Sequence, residues 1–262
     1  MSACFEATRW LRHQFMARGP HGVHSPLVYR MITEVLTRRR EARNSLKPVE
    51  ACRQRYLADR GMMRLEDFGA GSRRRETSRS ISSIARHASS SAHQLEALWC
   101  LVRDARPDLI LEFGTNLGLG TITMALAAPE ARIITMEGDP QLSSMARQQA
   151  RDLGLDQIEF LSGSFDALLP VLAGRDISPD FTFLDGNHRR GPVLEYSQWL
   201  LSRCRGDATI LIDDVYWSRD MSAAWSELCS RSDVPLTMDF FHFGLIRTGA
   251  RLRKEHFVLR LP

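Results

Sequence analysis

Apolar residues recur along the chain with two different periods. Over 3–17 and 26–42 they fall at helical spacing, and the stretch RGPHGVHSP between them breaks any helix with its glycines and prolines. Past residue 90 short apolar runs alternate with amphipathic ones. SAHQLEALWCLVRDARP places Leu95, Leu98, Trp99 and Val102 on one helical face and stops at Pro107. The apolar run LILEF, a glycine turn and the helical LGTITMALAA follow. Next come the run ARIITME, Gly138, and a helix started by Asp139 as N-cap with Pro140 in its first position. That helix keeps Leu142, Met145, Ala146, Ala150 and Leu153 on its apolar face. Further strands are predicted at QIEFLSG, DFTFLDG and ATILIDD, with helices near 190–204 and 219–230. PLTMDFFHFGLIRT and KEHFVLRLP have no helix between them and predict a final antiparallel hairpin.

Strands alternating with helices predict right-handed crossovers and a parallel sheet, so the expected class is α/β. The expected architecture is a Rossmann-like, doubly wound, seven-stranded sheet ending in a C-terminal antiparallel hairpin. The change of pattern divides the chain into an N-terminal, mainly helical cap over 1–90 and a sheet domain over 91–262. With 262 residues and 44% hydrophobic content the chain can bury a full core. No apolar run approaches the roughly 20 residues that span a bilayer, and the N-terminus shows no signal-peptide core, so a cytoplasmic protein without a membrane partner is expected. Five widely spaced cysteines without a Cys-x-x-Cys pair suggest free thiols rather than disulfides or zinc. The net charge of +4 is mild, although TRRREAR and SRRRETSR concentrate arginine in the first third.

Two glycine loops, RLEDFGAGSRRR and LILEFGTNLGLGTITMAL, compete as a cofactor site. A cofactor loop needs an apolar strand leading in, a helix leading out, and an acid at the tip of the next strand to take a ribose. The second loop has all three. Glu112 closes its strand, Gly114, Gly118 and Gly120 allow close backbone approach, and Glu137 ends the next strand, 25 positions after Glu112. MMRLEDF is a poor strand and supplies no ribose acid. No Lys or Arg occurs between Leu109 and Ala131, and a carboxylate at the tip disfavours phosphates. S-adenosyl-L-methionine fits this chemistry: its ribose suits Glu137, its ammonium and sulfonium end suits Glu112, and it carries no phosphate.

With LEFGTNLGLGT, TMEGDP, LSGSFDALLP, DFTFLDGNH and ILIDDVYW, about 109 to 217, the chain resembles the class I S-adenosylmethionine-dependent methyltransferases. Its HGVHSP, DFGAGS, IDDVYWSRDMSAAW and DFFHFGLI…KEHFVLR stretches resemble a group of bacterial methyltransferases of this length. The resemblance implies Glu112, Gly114, Thr115 and Gly118 at the methionine end, Glu137 and Gly138 at the ribose, Ser164 and Phe165 beside the adenine, and Asp185 close to the methyl group. The caffeoyl-CoA and catechol O-methyltransferase group is related, and its members hold a divalent ion with an Asp after the fourth strand and an Asp-Asn pair after the fifth. Asp185, Asp213 and Asp214 stand in those positions and would suit Mg²⁺ or a similar hard cation. The departures are Asp214 in place of Asn and DGNH in place of DAD.

A metal-free route runs through His188, three residues past Asp185, whose imidazole could accept a proton during transfer. The competing structural role is a helix cap at the start near Arg190. Asp185, His188 and Asp213 are therefore the catalytic candidates. Tyr216 and Trp217 could stack on an aromatic acceptor, although Trp217 could equally pack against the helix holding Met221 and Ala224; for Trp225 a core role is expected. The region before the first strand is where an acceptor would be chosen, which adds His24 and Arg73, the latter in an anion clamp or a solvated loop. The expectation is a small-molecule methyltransferase acting on oxygen, with an acceptor of anionic or aromatic character. Alternatives are an RNA methyltransferase, against which no RNA-binding module is seen, and a binding protein without catalysis. A homodimer stays open.

Overall fold

The computed structural model describes residues 3–67 and 75–262. Two compact units emerge, one formed by Met1–Thr37 with Ser178–Pro262 and the other by Arg38–Ile177. These draw on different stretches from the expected 1–90 and 91–262.

The first unit opens with α1 (Ala3–Met16) and α2 (Pro26–Arg30). HGVHSP is the expected break: a single 3-10 turn at Pro20–Gly22, then Ser25 and Pro26 at the start of α2. The second unit begins with α3 (Arg39–Ser45) and α4 (Lys47–Ala58). Next, β1 (Met62–Asp67) and β2 (Arg75–Ser80) pair as an antiparallel ribbon, where MMRLEDF reads as a poor strand. Met62 is exposed and Met63 buried, so the strand alternation is present but spans too few apolar residues to stand out in the sequence. The glycine-arginine loop between these strands, Arg73 included, lies outside the described residues.

In the same unit follow α5 (Ile81–His87), α6 (Ala92–Ala105), β3 (Leu109–Phe113), α7 (Leu119–Ala127), β4 (Arg132–Glu137), α8 (Pro140–Asp152), β5 (Ile158–Ser162) and α9 (Phe165–Ala173). Local signals set these boundaries. Ser91 and Gln94 form a reciprocal capping box at α6. The Asp139 carboxylate accepts from the amides of Gln141 and Leu142 at 2.8 and 3.0 Å, as its place before Pro140 requires. Strands β3, β4 and β5 are parallel, with β4 in the middle, and the fully buried Ile110, Leu111, Ile133 and Ile134 fill the core around them.

The first unit resumes with β6 (Phe181–Leu184), α10 (Arg190–Leu201), β7 (Thr209–Asp213), α11 (Arg219–Ser230), β8 (Leu236–Asp239), β9 (Phe243–Arg247) and β10 (Glu255–Val258). Its strand order is β10-β8-β9-β7-β6. β6 and β7 are parallel, β9 runs antiparallel to both β7 and β8, and β10 is parallel to β8. The hairpin therefore lies within PLTMDFFHFGLIRT, as β8 and β9, and KEHFVLRLP adds a strand beyond the seven expected. The α/β class and the strand-helix alternation of a Rossmann-like domain are as read from the sequence. Among the described residues no helix is long and apolar enough to cross a membrane.

Candidate functional site

In the second unit, β3 delivers Glu112 into the interior. Strands buried on both faces carry apolar side chains, so a carboxyl here must find partners. Its Oε2 accepts from Thr121 Oγ1 on α7 at 2.5 Å and from Thr135 Oγ1 on β4 at 2.6 Å. Thr115 Oγ1 lies 2.5 Å from Thr135 Oγ1 and extends the chain of hydroxyls. Burial pushes the Glu112 carboxyl up to about 8, against the hydroxyls of Thr121 and Thr135 and with a contribution from the charge of Glu137. Its other oxygen, Oε1, is buried without a hydrogen-bond partner. That orphaned acceptor is what a ligand ammonium group would satisfy.

The turn after β3 is tight because Gly114 and Thr115 both donate their amides to Met136 O, at 2.9 and 3.2 Å. Gly118 caps α7 at φ +80°, and a Cβ there would meet Ala146 Cβ of α8 at 2.9 Å. Thus α7 starts against α8 only because residue 118 has no side chain.

Glu137 ends β4 half-buried. Its Oε2 accepts from Asn116 N at 2.8 Å and its Oε1 from Asp139 N at 3.0 Å. Burial raises its pKa, opposed by these amides and that of Gly138. Two backbone donors hold the carboxylate still and leave one lone pair on each oxygen, the arrangement a vicinal diol can bridge. Ser164 N-caps α9, accepting from Ala167 N at 3.3 Å, and the Phe165 ring stands edge-on to Phe113 with centroids 5.4 Å apart. Glu112, Gly114, Thr115, Gly118, Glu137, Gly138, Ser164 and Phe165 all belong to this unit, at the β3, β4 and β5 ends. Thr121 and Thr135 were missed by the sequence reading; the available signal was a hydroxyl inside the apolar run RIITME, facing Glu112 in the β3–β4 register.

The first unit carries the other candidates. His188 Nε2 lies 3.6 Å from Asp185 Oδ1, and its ring sits 5.7 Å from that of Trp217. Burial lowers the His188 pKa, against the charge of Asp214, so the ring is neutral at pH 7. His188 does not cap α10: Arg189 is the N-cap, with no side-chain cap bond, and its guanidinium donates to Asn187 Oδ1 at 2.8 Å. Trp217 is 44% exposed with its ring beside that of His188, whereas Trp225 is buried as expected. Tyr216 turns the other way. Its hydroxyl donates to Asp239 Oδ2 at 2.5 Å and one face of its ring stacks on Phe241. His24 is exposed two residues before α2.

Among the described residues no group of three or more His, Cys, Asp or Glu side chains is placed to hold an ion. Of the three carboxylates the sequence offers for a cation, Asp185 lies beside His188, Asp213 is buried at the end of β7, and Asp214 takes left-handed backbone at φ 54°. The sequence reading also passed over Asp239 and His13. Asp239 is a lone acid in an apolar run, buried at the end of β8, and His13 Nε2 meets its Oδ1 at 3.2 Å. Although burial works to raise it, the Asp239 pKa is held below the usual range by His13, Tyr216 and the Phe241 amide.

Comparison with known proteins adds the following. Residues 111–215 match a family described as a methyltransferase domain. A catechol O-methyltransferase from Niastella koreensis is 35% identical over 48% of this chain and 57% of its own length. The chain thus spans little more than half of that curated relative. The O-methyltransferase TomG from Streptomyces achromogenes, solved in complex with SAM, covers 62% of this chain and 81% of its own, with TM-score 0.54 and 24% identity. The SAH-bound methyltransferase PaMTH1 from Podospora anserina covers 94% of this chain and 96% of its own, with TM-score 0.54 and 16% identity. These two solved structures share the fold.

Proposed function

We propose that this chain, in which residues 111–215 match a family described as a methyltransferase domain, transfers a methyl group from S-adenosyl-L-methionine to a hydroxyl oxygen of a small aromatic acceptor. The observation that carries the reading is Glu137, whose two oxygens are each fixed by a backbone amide at the end of β4. Glu112 supports it from β3. Its buried carboxyl gains a reason to ionise beside an ammonium group, and its unpartnered Oε1 gains a donor. When bound, the cofactor supplies a methyl group on a positively charged sulfur, an electrophile that needs no further activation.

The remaining tasks fall to the chain. Trp217 presents a half-open ring on which a flat acceptor can lie, and the relatives named catechol O-methyltransferase favour such an acceptor. His188, neutral at pH 7, takes the proton that the acceptor hydroxyl loses as its oxygen gains the methyl group. Asp185, 3.6 Å from the imidazole, stabilises the resulting imidazolium. Alignment of acceptor and methyl group then accounts for most of the rate. The proton route through His188 requires no divalent ion; Asp185, Asp213 and Asp214 are the residues that would hold one. Selection of the acceptor by residues of the 1–90 region is part of the same proposal.

Calorimetry with S-adenosylmethionine and its demethylated product, on the wild type and Glu137→Ala, tests the reading together with labelled methyl transfer to catechol. Binding that is weakened by the substitution, with label in the acceptor, supports it. Absence of binding, or binding indifferent to residue 137, ends it.

A further inference from the structure

Asp239 is a buried carboxylate of the first unit with four donors around it, and nothing in the proposed chemistry uses it. Its Oδ1 accepts from His13 Nε2 at 3.2 Å and Phe241 N at 2.9 Å; its Oδ2 accepts from Tyr216 Oη at 2.5 Å and Trp225 Nε1 at 3.1 Å. Four donors fill the usual capacity of a carboxylate, so Asp239 has no lone pair left for a substrate or an ion. The donors come from α1, from the segment after β7, from α11 and from the β8–β9 turn. Phe241 closes the cluster, with its ring stacked on Tyr216 and edge-on to His13 at 5.5 Å. Gly244 on β9 lets Trp225 reach Asp239, since a Cβ there would fall 2.5 Å from the indole ring.

The segment after β7 is also tied by its backbone. Asp214 N donates to His242 O at 2.7 Å, and Trp217 N donates to Asp214 O at 2.9 Å. Tyr216 and Trp217 are adjacent, yet one side chain points into the Asp239 cluster while the other sits against His188.

We propose that Asp239 is a positioning residue that holds Tyr216 and His13, and thereby fixes Trp217 over His188 as the seat of the acceptor. The inference rests on the reading that Trp217 and His188 receive the acceptor. It assigns α1 a part in acceptor binding through His13.

Replacing Asp239 itself strands four buried donors and can unfold the protein, so the test uses Tyr216→Phe, His13→Ala and His13→Gln in the full chain, with Trp217→Ala beside them. Catechol is the acceptor probe, and acrylamide quenching of Trp217 is read in a Trp10→Phe background, because Trp10 on α1 is also exposed. Tyr216→Phe and His13→Ala should each raise KM for catechol about tenfold, the loss of one hydrogen bond to a charged group, and increase quenching of Trp217. Cofactor affinity should stay within about twofold, and His13→Gln, which offers an amide donor of similar reach, should restore KM. Unchanged KM in Tyr216→Phe and His13→Ala, with Trp217→Ala raising it, overturns the inference and spares the functional reading. A lowered melting temperature with kcat and KM untouched overturns it too, as a purely structural role. Should Trp217→Ala leave catechol binding and turnover unaltered, the acceptor reading itself fails and the inference with it.

Discussion

Glu112 on β3 and Thr135 on β4 are partners across a parallel ladder, and the Thr135 hydroxyl donates to Glu112 Oε2 at 2.6 Å. The pairing puts a titratable group inside a sheet core, where only one of its oxygens is served. Under the proposed function, stability and ligand binding depend on the same carboxyl with opposite sign.

Glu112→Gln makes that visible. The folded carboxyl titrates near 8 where the ordinary value is 4.5, so the native state keeps a proton that the unfolded chain releases. The benefit of the neutral form is fully present below pH 4.5, declines as pH rises, and is lost once pH passes 8. Glu112→Gln has no such slope. Denaturant unfolding at pH 5 and pH 9 should show wild type losing on the order of 3–5 kcal/mol relative to the variant over that interval. Calorimetry should show the variant binding S-adenosylmethionine more weakly.

Glu137→Ala removes the acceptor for two amides and, under the proposed function, for the ribose. A hydrogen bond to a charged group is worth about 1.5–3 kcal/mol, so cofactor affinity should fall by roughly 10- to 150-fold. The variant should unfold at lower denaturant because the amides of Asn116 and Asp139 lose their partner.

The site was legible where chemistry coincided with the strand-helix alternation. LILEF and ARIITME show their strands and terminal acids together, and Asp139-Pro140 marks α8 without any tertiary information. The β8–β9 turn was hidden for a definite reason. It runs through Phe240, Phe241 and His242 with no glycine or proline, and Phe241 takes φ 73° while its amide is held by Asp239 Oδ1 at 2.9 Å. A carboxylate thus does what a turn residue normally announces, inside what reads as one apolar strand.

The metal-free route through His188 gives a direct expectation. Excess EDTA should leave methyl transfer to catechol unchanged, and Asp214→Asn should cost little. His188→Gln should lower kcat by about 10²–10⁴, the usual worth of a general base. Because burial lowers the His188 pKa and the base must be neutral, kcat/KM should rise with pH through a midpoint below 6.5 and be lost on acidification. A midpoint above 6.5, or full inhibition by EDTA, would assign proton removal to another group.

The contact between Gly118 and Ala146 separates two costs that usually come together. Gly118→Ala places a methyl group 2.9 Å from Ala146 Cβ and puts a side chain at φ +80°. Overpacking costs about 1–3 kcal/mol and left-handed backbone about 1–2 kcal/mol. Ala146→Gly in the same chain removes the collision but not the backbone strain, and adds about 1 kcal/mol for a glycine inside α8. Denaturant midpoints should therefore show the double variant less destabilised than the sum of the single ones, with a coupling energy of about 1–2 kcal/mol. Additivity would mean that α7 and α8 separate freely to admit the methyl group, and that the loop from Gly114 to Gly118 owes its shape to its own backbone rather than to α8 behind it.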